Sequence, residues 1–198
     1  MNLLNRLVKT APSIIGITGT PGTGKKSIGQ IIAINLGYKF VDLNKIALES
    51  DAVLSNEKED LEVNTKKLRR HVLRQIKGQN VVLVGHLLPD LLSKGEIKFV
   101  AVLRCSPFEL EKRYSERHYS ATKIKDNVSS EILDICFAEA VHSFGTKVIS
   151  EFDTTGRQSI DVANEIIQVY NRHKKRSFGN INWLSSSSAK IFLKKYLD

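Results

Sequence analysis

Seven residues near the amino terminus, Gly19-Thr20-Pro21-Gly22-Thr23-Gly24-Lys25, restrict the fold more than any other part of the chain. They follow an apolar run, Ser13-Ile14-Ile15-Gly16-Ile17-Thr18, and lead into a segment with helical spacing. A glycine-rich turn between a buried strand and a helix is the setting of a phosphate-binding loop, or P-loop. The glycines let the backbone turn tightly, so that successive N–H groups point inward at an anion. The helix that follows aims the positive end of its dipole at the same point. Lys25 adds a mobile cation for the terminal phosphates of a nucleoside triphosphate. The position after the lysine ordinarily carries a hydroxyl that touches Mg²⁺. Here it is Lys26, and the hydroxyl of Ser27 comes one place later.

At 198 residues the chain suits one α/β domain with a short appendage. No run of about 18 apolar residues exists, so no membrane span is expected. Residues 1–10 lack the core and cleavage pattern of a signal peptide, which gives the expectation of a cytosolic protein. Cys105 and Cys136 form no CxxC pair and read as two reduced, part-buried thiols, with no zinc site. The net charge is +9, and it is unevenly placed. From Arg172 onwards there are seven lysines and arginines against one acid, Asp198. Such a tail suits a polyanion, with RNA the natural candidate, unless it is only a solvated end.

Strands and helices alternate along the chain. Residues 13–18, 38–43, 81–84, 98–103 and 146–152 read as five strands. A helix from Lys25 carries Ile28, Ile31, Ile32 and Leu36 on one side and stops at Gly37. Asn44 is expected to cap a short helix, residues 51–62 to form an irregular acidic insert, and Asn64 to start a long helix with a basic outer face. Pro107 opens a helix towards Arg117. Residues 119–126 read as a polar break, 128–142 as one helix, and 160–170 as the last core helix. A serine-rich linker, 185–188, precedes a small amphipathic end at 191–197. The expected architecture is a P-loop NTPase: an α/β fold with a doubly wound, five-stranded parallel sheet. The P-loop, Asp42, Gly85-His86, Arg104 and Asp153 then sit together at the carboxyl ends of the strands, where such sheets bind ligands.

An acidic insert after the second strand and a short basic one, residues 113–119, flank a single P-loop. Two movable covers fit a kinase of a small phosphorylated acceptor, because closure excludes water and favours transfer over hydrolysis. No NKxD stretch marks a GTPase.

With these residues in view, the chain resembles the adenylate kinase isoenzyme 6 family and its archaeal counterparts. The resemblance rests on Gly19 to Lys25, on Val81-Val82-Leu83-Val84-Gly85-His86-Leu87, and on Glu116-Arg117-His118-Tyr119 with Lys125-Asp126-Asn127. It continues through residues 131–140, Asp153-Thr154-Thr155-Gly156, and Lys174-Lys175-Arg176 with Asn182-Trp183. It implies a nucleoside monophosphate (NMP) kinase and ATPase that turns ATP and AMP into two ADP, tied to small ribosomal subunit maturation through a ribosomal protein and pre-rRNA. It implies a kinase domain over 1–172, with an NMP-binding segment at 42–65 and a small LID at 116–126, and a basic extension over 173–198. It implies phosphate contacts from Gly22, Gly24, Lys25, Lys26 and Ser27, a LID contact from Arg117 and a nucleotide contact at Arg157. Lys25 and Arg117 suit phosphoryl transfer, which needs positive charge around the migrating group and little covalent chemistry. Arg113, one turn earlier, is a second candidate.

Lys26 and Val84 depart from the pattern, since many relatives carry an acid two places before the histidine. Mg²⁺ is then expected on triphosphate oxygens, waters, Ser27 or Asp42, with Lys26 replacing part of its charge. His86 either contacts the attacking water or a partner, or is a satisfied loop histidine. Asp153 either positions the base loop or caps its own turn. Trp183 either stacks on RNA or docks the tail, and docking is the favoured reading. The rival to a kinase is a nucleotide-regulated ribosome assembly factor with negligible turnover.

Overall fold

The computed structural model describes residues 12–57, 60–185 and 189–197. Its centre is β1 (Ile14–Gly19), whose last five residues are buried, as an apolar run without alternation requires. β5 (Val81–Val84) pairs with it on one side and β6 (Phe99–Arg104) on the other, both parallel. β2 (Lys39–Asp42) and β7 (Ile149–Asp153) complete a sheet in the order β2-β5-β1-β6-β7. From β1 the chain turns to one side for β2 and β5, then crosses to the other for β6 and β7. The strand order therefore reverses beside β1, and the crevice at a reversal is where such sheets take ligands. The five-stranded parallel sheet expected from the sequence is present.

Helices cover both faces, because strands buried on both sides need two partners. α1 (Lys25–Leu36) and α8 (Ser159–Tyr170) pack on Ile15, Ile17, Val82, Val84, Ala101 and Leu103. On the other face, α2 (Leu43–Glu49), α3 (Thr65–Ile76), α4 (Leu88–Leu91) and α7 (Ile135–Phe144) pack on Val81, Leu83, Val100 and Val102. The alternation of neighbours along each strand is the pleat repeated in packing. A third cluster joins α5 (Pro107–Glu116) and α6 (Ala121–Ile132) to the chain end, α9 (Ala189–Phe192) and the turn Leu193–Leu197.

Several expectations need correction. The cap of α2 is Asp42, not Asn44, because the Asp42 carboxylate accepts the Asn44 and Lys45 amides. The acidic stretch at 51–62 is not irregular: β3 (Val53–Glu57) and β4 (Asp60–Val63) form an antiparallel pair. Val53 and Val63, which pair with each other, supply β-branched strand formers that the acids obscured. The polar break at 119–126 is mostly the first turns of α6, capped by Ser120 on the Lys123 amide. The helix expected over 128–142 is two helices, broken where Asp134 adopts a left-handed φ of 57°. A short polar side chain tolerates that conformation. The expectations for residues 1–10 and 186–188 lie outside the described residues. Among the described residues no helix is long and apolar enough to cross a membrane.

Gly19 ends β1 with φ 134°, and a Cβ there would stand 2.2 Å from the Leu103 carbonyl oxygen of β6. Backbone cannot yield as a side-chain tip does. Gly19→Ala is expected to cost more than about 2 kcal/mol, read as a drop in thermal midpoint by calorimetry.

Candidate active site

The loop between β1 and α1 is shaped by its own backbone and fixed from outside. Gly22 and Gly24 take φ of 85° and 90°, and Gly24 caps α1 with its left-handed backbone and no side chain. The first amides of α1 thus remain available to an anion. Three successive loop residues are anchored by the α5–α6 pair. The Thr20 hydroxyl donates to Glu131 Oε2 at 2.5 Å, the Tyr114 hydroxyl donates to the Pro21 carbonyl, and Arg113 donates to the Gly22 carbonyl at 2.9 Å. Arg113, a candidate for phosphate contact, here braces the loop and pairs with Glu109.

Glu131 is the hub of a buried ionic group. Arg104, 1% exposed, gives its Nε to Glu131 Oε1 at 2.7 Å and its Nη1 to Glu151 Oε1 at 2.7 Å, and its Nη2 meets Asp134. The Cys105 amide and the Trp183 indole N–H reach the same Glu131 oxygen at 3.2 and 3.0 Å. Burial alone would lower the Arg104 pKa, but the Glu131 and Asp134 carboxylates more than offset it and hold the guanidinium charged. Burial pushes the Glu151 carboxyl up, against the pull of Arg104. Arg104 ends its strand as expected, yet it points into this network rather than into the crevice. Glu131 carried no role in the sequence reading. Its signal was an acid on the same helical face as Val128 and Ile132.

Lys25 folds back onto the loop, donating to the Gly19 carbonyl at 2.6 Å and the Thr20 carbonyl at 2.9 Å. Desolvation lowers its pKa to about 8, against the pull of Cys136, Glu131 and Asp42. His86 follows β5 with an exposed ring. Desolvation beside the loop, and then the Lys25 charge, hold it below the ordinary imidazole value, with Asp90 opposing. Arg117 ends α5, exposed, with no ion pair or side-chain hydrogen bond among the described residues. Arg157 lies across the β7–α8 turn, bonded to the Asp153 carbonyl at 3.1 Å and paired with Glu165 at 2.8 Å. Asp153 accepts the Thr155 amide and hydroxyl, so it caps its own turn. Both thiols are free, and burial raises them, Cys105 to about 11.

Magnesium fits this donor set only in part. Asp42 commits Oδ1 to two amides of α2 and turns Oδ2 towards the Lys26 ammonium, 3.5 Å away. Ser27 is exposed in the first turn of α1, and Val84 is apolar and buried. Among the described residues no three His, Cys, Asp or Glu side chains gather at one point. Such a set suits a cation carried by phosphates inside its own water shell, not an all-protein cage.

A P-loop at the reversal of a doubly wound sheet, with inserts on either side, defines a phosphoryl-transfer scaffold. Residues 15–134 match the family described as AAA domain. A protein of Thermococcus kodakarensis described as "Putative adenylate kinase" is 38% identical over 170 residues, 86% of this chain and 92% of that protein. One of the same description from Pyrococcus furiosus is 39% identical over 170 residues, again 86% of this chain and 91% of the other. The chain belongs to this AAA-domain family and to the family of these two proteins. The fold is shared with a shikimate kinase from Acinetobacter baumannii, with TM-score 0.54 and 19% identity over 85% of this chain and 97% of that one. It is also shared with a gluconokinase from Sinorhizobium meliloti 1021, with TM-score 0.53 and 15% identity over 82% and 93%.

An anion drawn into the loop favours the charged form of Lys25. Its pKa of about 8 must then rise on binding, so binding takes up protons near and above pH 8. Affinity for tripolyphosphate is expected to hold below pH 8 and to fall as pH rises past it. Calorimetry in buffers of different ionisation enthalpy reads the uptake.

Proposed function

We propose that the protein is a nucleoside monophosphate kinase that converts ATP and AMP into two ADP. The observation that carries this reading is Lys25, held on its own loop carbonyls at the mouth of α1, in a chain that aligns over most of its length with adenylate-kinase relatives. The backbone of Gly22 to Ser27, with Lys26 at its edge, cradles the donor phosphates. Lys25 leaves the Gly19 and Thr20 carbonyls for the β- and γ-phosphates. The 42–65 segment, α2 with the β3–β4 hairpin, holds the acceptor. The 116–126 segment, the link between α5 and α6 together with the first turns of α6, serves as the LID and brings Arg117 onto the donor. An AMP phosphate oxygen attacks the γ-phosphorus, the bond from that phosphorus to the β–γ bridging oxygen breaks, and both products leave as ADP. Charge spreads over the migrating group, and Lys25 and Arg117 stabilise it. His86, neutral at pH 7, contacts the attacking group at the end of β5, and Arg157 borders the nucleotide base. Magnesium, held by ATP and the outer reach of Ser27 and Asp42, would supply further positive charge there. Hydrolysis of ATP follows when water takes the acceptor's place.

A cytosolic role with a small-subunit ribosomal protein and pre-rRNA extends this reading. It is supported by exposed basic side chains on α3 and at its C-cap, Lys66, Arg70, Arg74 and Lys77, and by Arg172, Lys175, Lys190 and Lys194 in the tail. These form no ion pair among the described residues. The rival, an assembly factor with negligible turnover, draws on Lys26 and Val84.

A coupled assay for ADP with and without AMP separates the two readings. AMP-stimulated turnover that disappears in Lys25→Ala supports the kinase, and ATP binding without turnover supports the rival. Arg117→Ala is expected to lower kcat roughly 100-fold with a smaller change in KM for ATP. Lys26→Thr is expected to steepen the dependence of turnover on magnesium, read by titrating the metal against fixed ATP. An unchanged titration removes Lys26 from any part in replacing the metal's charge.

A further inference from the structure

Beyond α8 the chain returns along the sheet and ends against the helices that brace the P-loop. The Glu151 amide of β7 donates to the Ser177 carbonyl at 2.7 Å, the Ser150 hydroxyl donates to the same oxygen at 3.0 Å, and the Gly179 amide reaches Glu151 Oε2. Trp183 then sets its indole N–H on Glu131 Oε1. Farther on, Phe192 and Tyr196 are buried in the α5–α6 cluster, the Ser129 hydroxyl donates to the Tyr196 carbonyl at 2.9 Å, and Lys195 pairs with Glu111 at 2.6 Å.

We propose that this C-terminal segment is a strap that sets the shape of the P-loop, with Trp183 as a positioning residue acting through Glu131 on Thr20. The proposal rests on the nucleotide-binding reading above. The route is two hydrogen bonds long. Glu131 takes Trp183, Arg104 and the Cys105 amide on one oxygen and the Thr20 hydroxyl on the other. The Thr20 carbonyl in turn accepts Lys25 and the Thr23 hydroxyl, both at 2.9 Å. A carboxylate so surrounded keeps one rotamer, because each oxygen has donors fixed in space. Without the indole donor Oε1 keeps only Arg104 and the Cys105 amide, and any turn of the carboxylate passes to Thr20 through the 2.5 Å bond. Coupling is reciprocal: if Trp183 shapes the loop, a nucleotide that draws Lys25 off the Thr20 carbonyl alters the surroundings of Trp183.

Trp183 is the sole tryptophan of the 198 residues, so the protein's tryptophan emission reports this one site. The full chain is titrated with ADP, followed by calorimetry and by tryptophan fluorescence. The emission maximum is expected to shift with the midpoint of the heat signal. Trp183→Phe, which keeps an aromatic side chain of smaller size and loses the N–H, is expected to bind ADP three- to tenfold more weakly by calorimetry, about the worth of one hydrogen bond. The Lys25→Ala chain should show neither the heat nor the shift. Heat of binding with unchanged emission overturns the strap and leaves the nucleotide reading standing, and so does wild-type affinity in a folded Trp183→Phe. No heat with ADP or ATP in the full chain overturns both. If Trp183→Phe does not fold, the wild-type titration alone decides.

Discussion

A single carboxylate, that of Glu131, ties together the parts of this molecule that have to meet. It lies 1% exposed, where an unpaired charge is not tolerated, and it is matched by Arg104 from the end of β6. Removing one partner of such a pair costs roughly 3–5 kcal/mol, because the other charge is stranded. What sets Glu131 apart from an ordinary buried pair is where its remaining capacity goes. One bond reaches the P-loop and another reaches the far end of the chain. Glu131 thereby joins the P-loop to α6 and to the tail through direct hydrogen bonds.

The P-loop itself was legible from the sequence because its chemistry is written in consecutive residues. The central strands β1, β5 and β6 were legible because buried parallel strands are largely apolar, and the long helices because their inward faces repeat at helical spacing. What escaped notice depends on contacts between distant residues. Nothing local to Arg104 shows that it turns away from the crevice, since its three acids come from α6, the break after it and β7. The break at Asp134 was hidden because the residue reads as an ordinary helix-surface acid until Arg104 is known to hold it. Asp42 displaced Asn44 as a cap because either side chain suits that role, and only the strand's end decides. The tail divided between the two kinds of reading. Its charge suggested a free basic arm. Trp183, by contrast, gave the docking that is observed, and the aromatic anchors Phe192 and Tyr196 extend it.

The charge state of Lys25 follows from the same construction. Its ammonium is satisfied by two carbonyls of its own loop, in a setting that lowers its pKa to about 8. The crevice thus carries a cation that is oriented before any anion arrives, in a partly desolvated place where a charge counts for more than it would in water. Lys26 extends the same bias. By facing Asp42 at 3.5 Å it offsets a carboxylate at the end of β2, beside the first turn of α1.

The pairing of Ser177 with Glu151 has a consequence for how copies of this protein behave at high concentration. An open parallel sheet has two outer strands whose unpaired amides and carbonyls invite a neighbour to add on. Here β7 has part of its outer row taken by the chain's own return segment. The opposite border is β2, only four residues long and headed by Lys39. Neither border offers a long, flat, apolar ribbon, so the sheet resists growth into filaments from both sides.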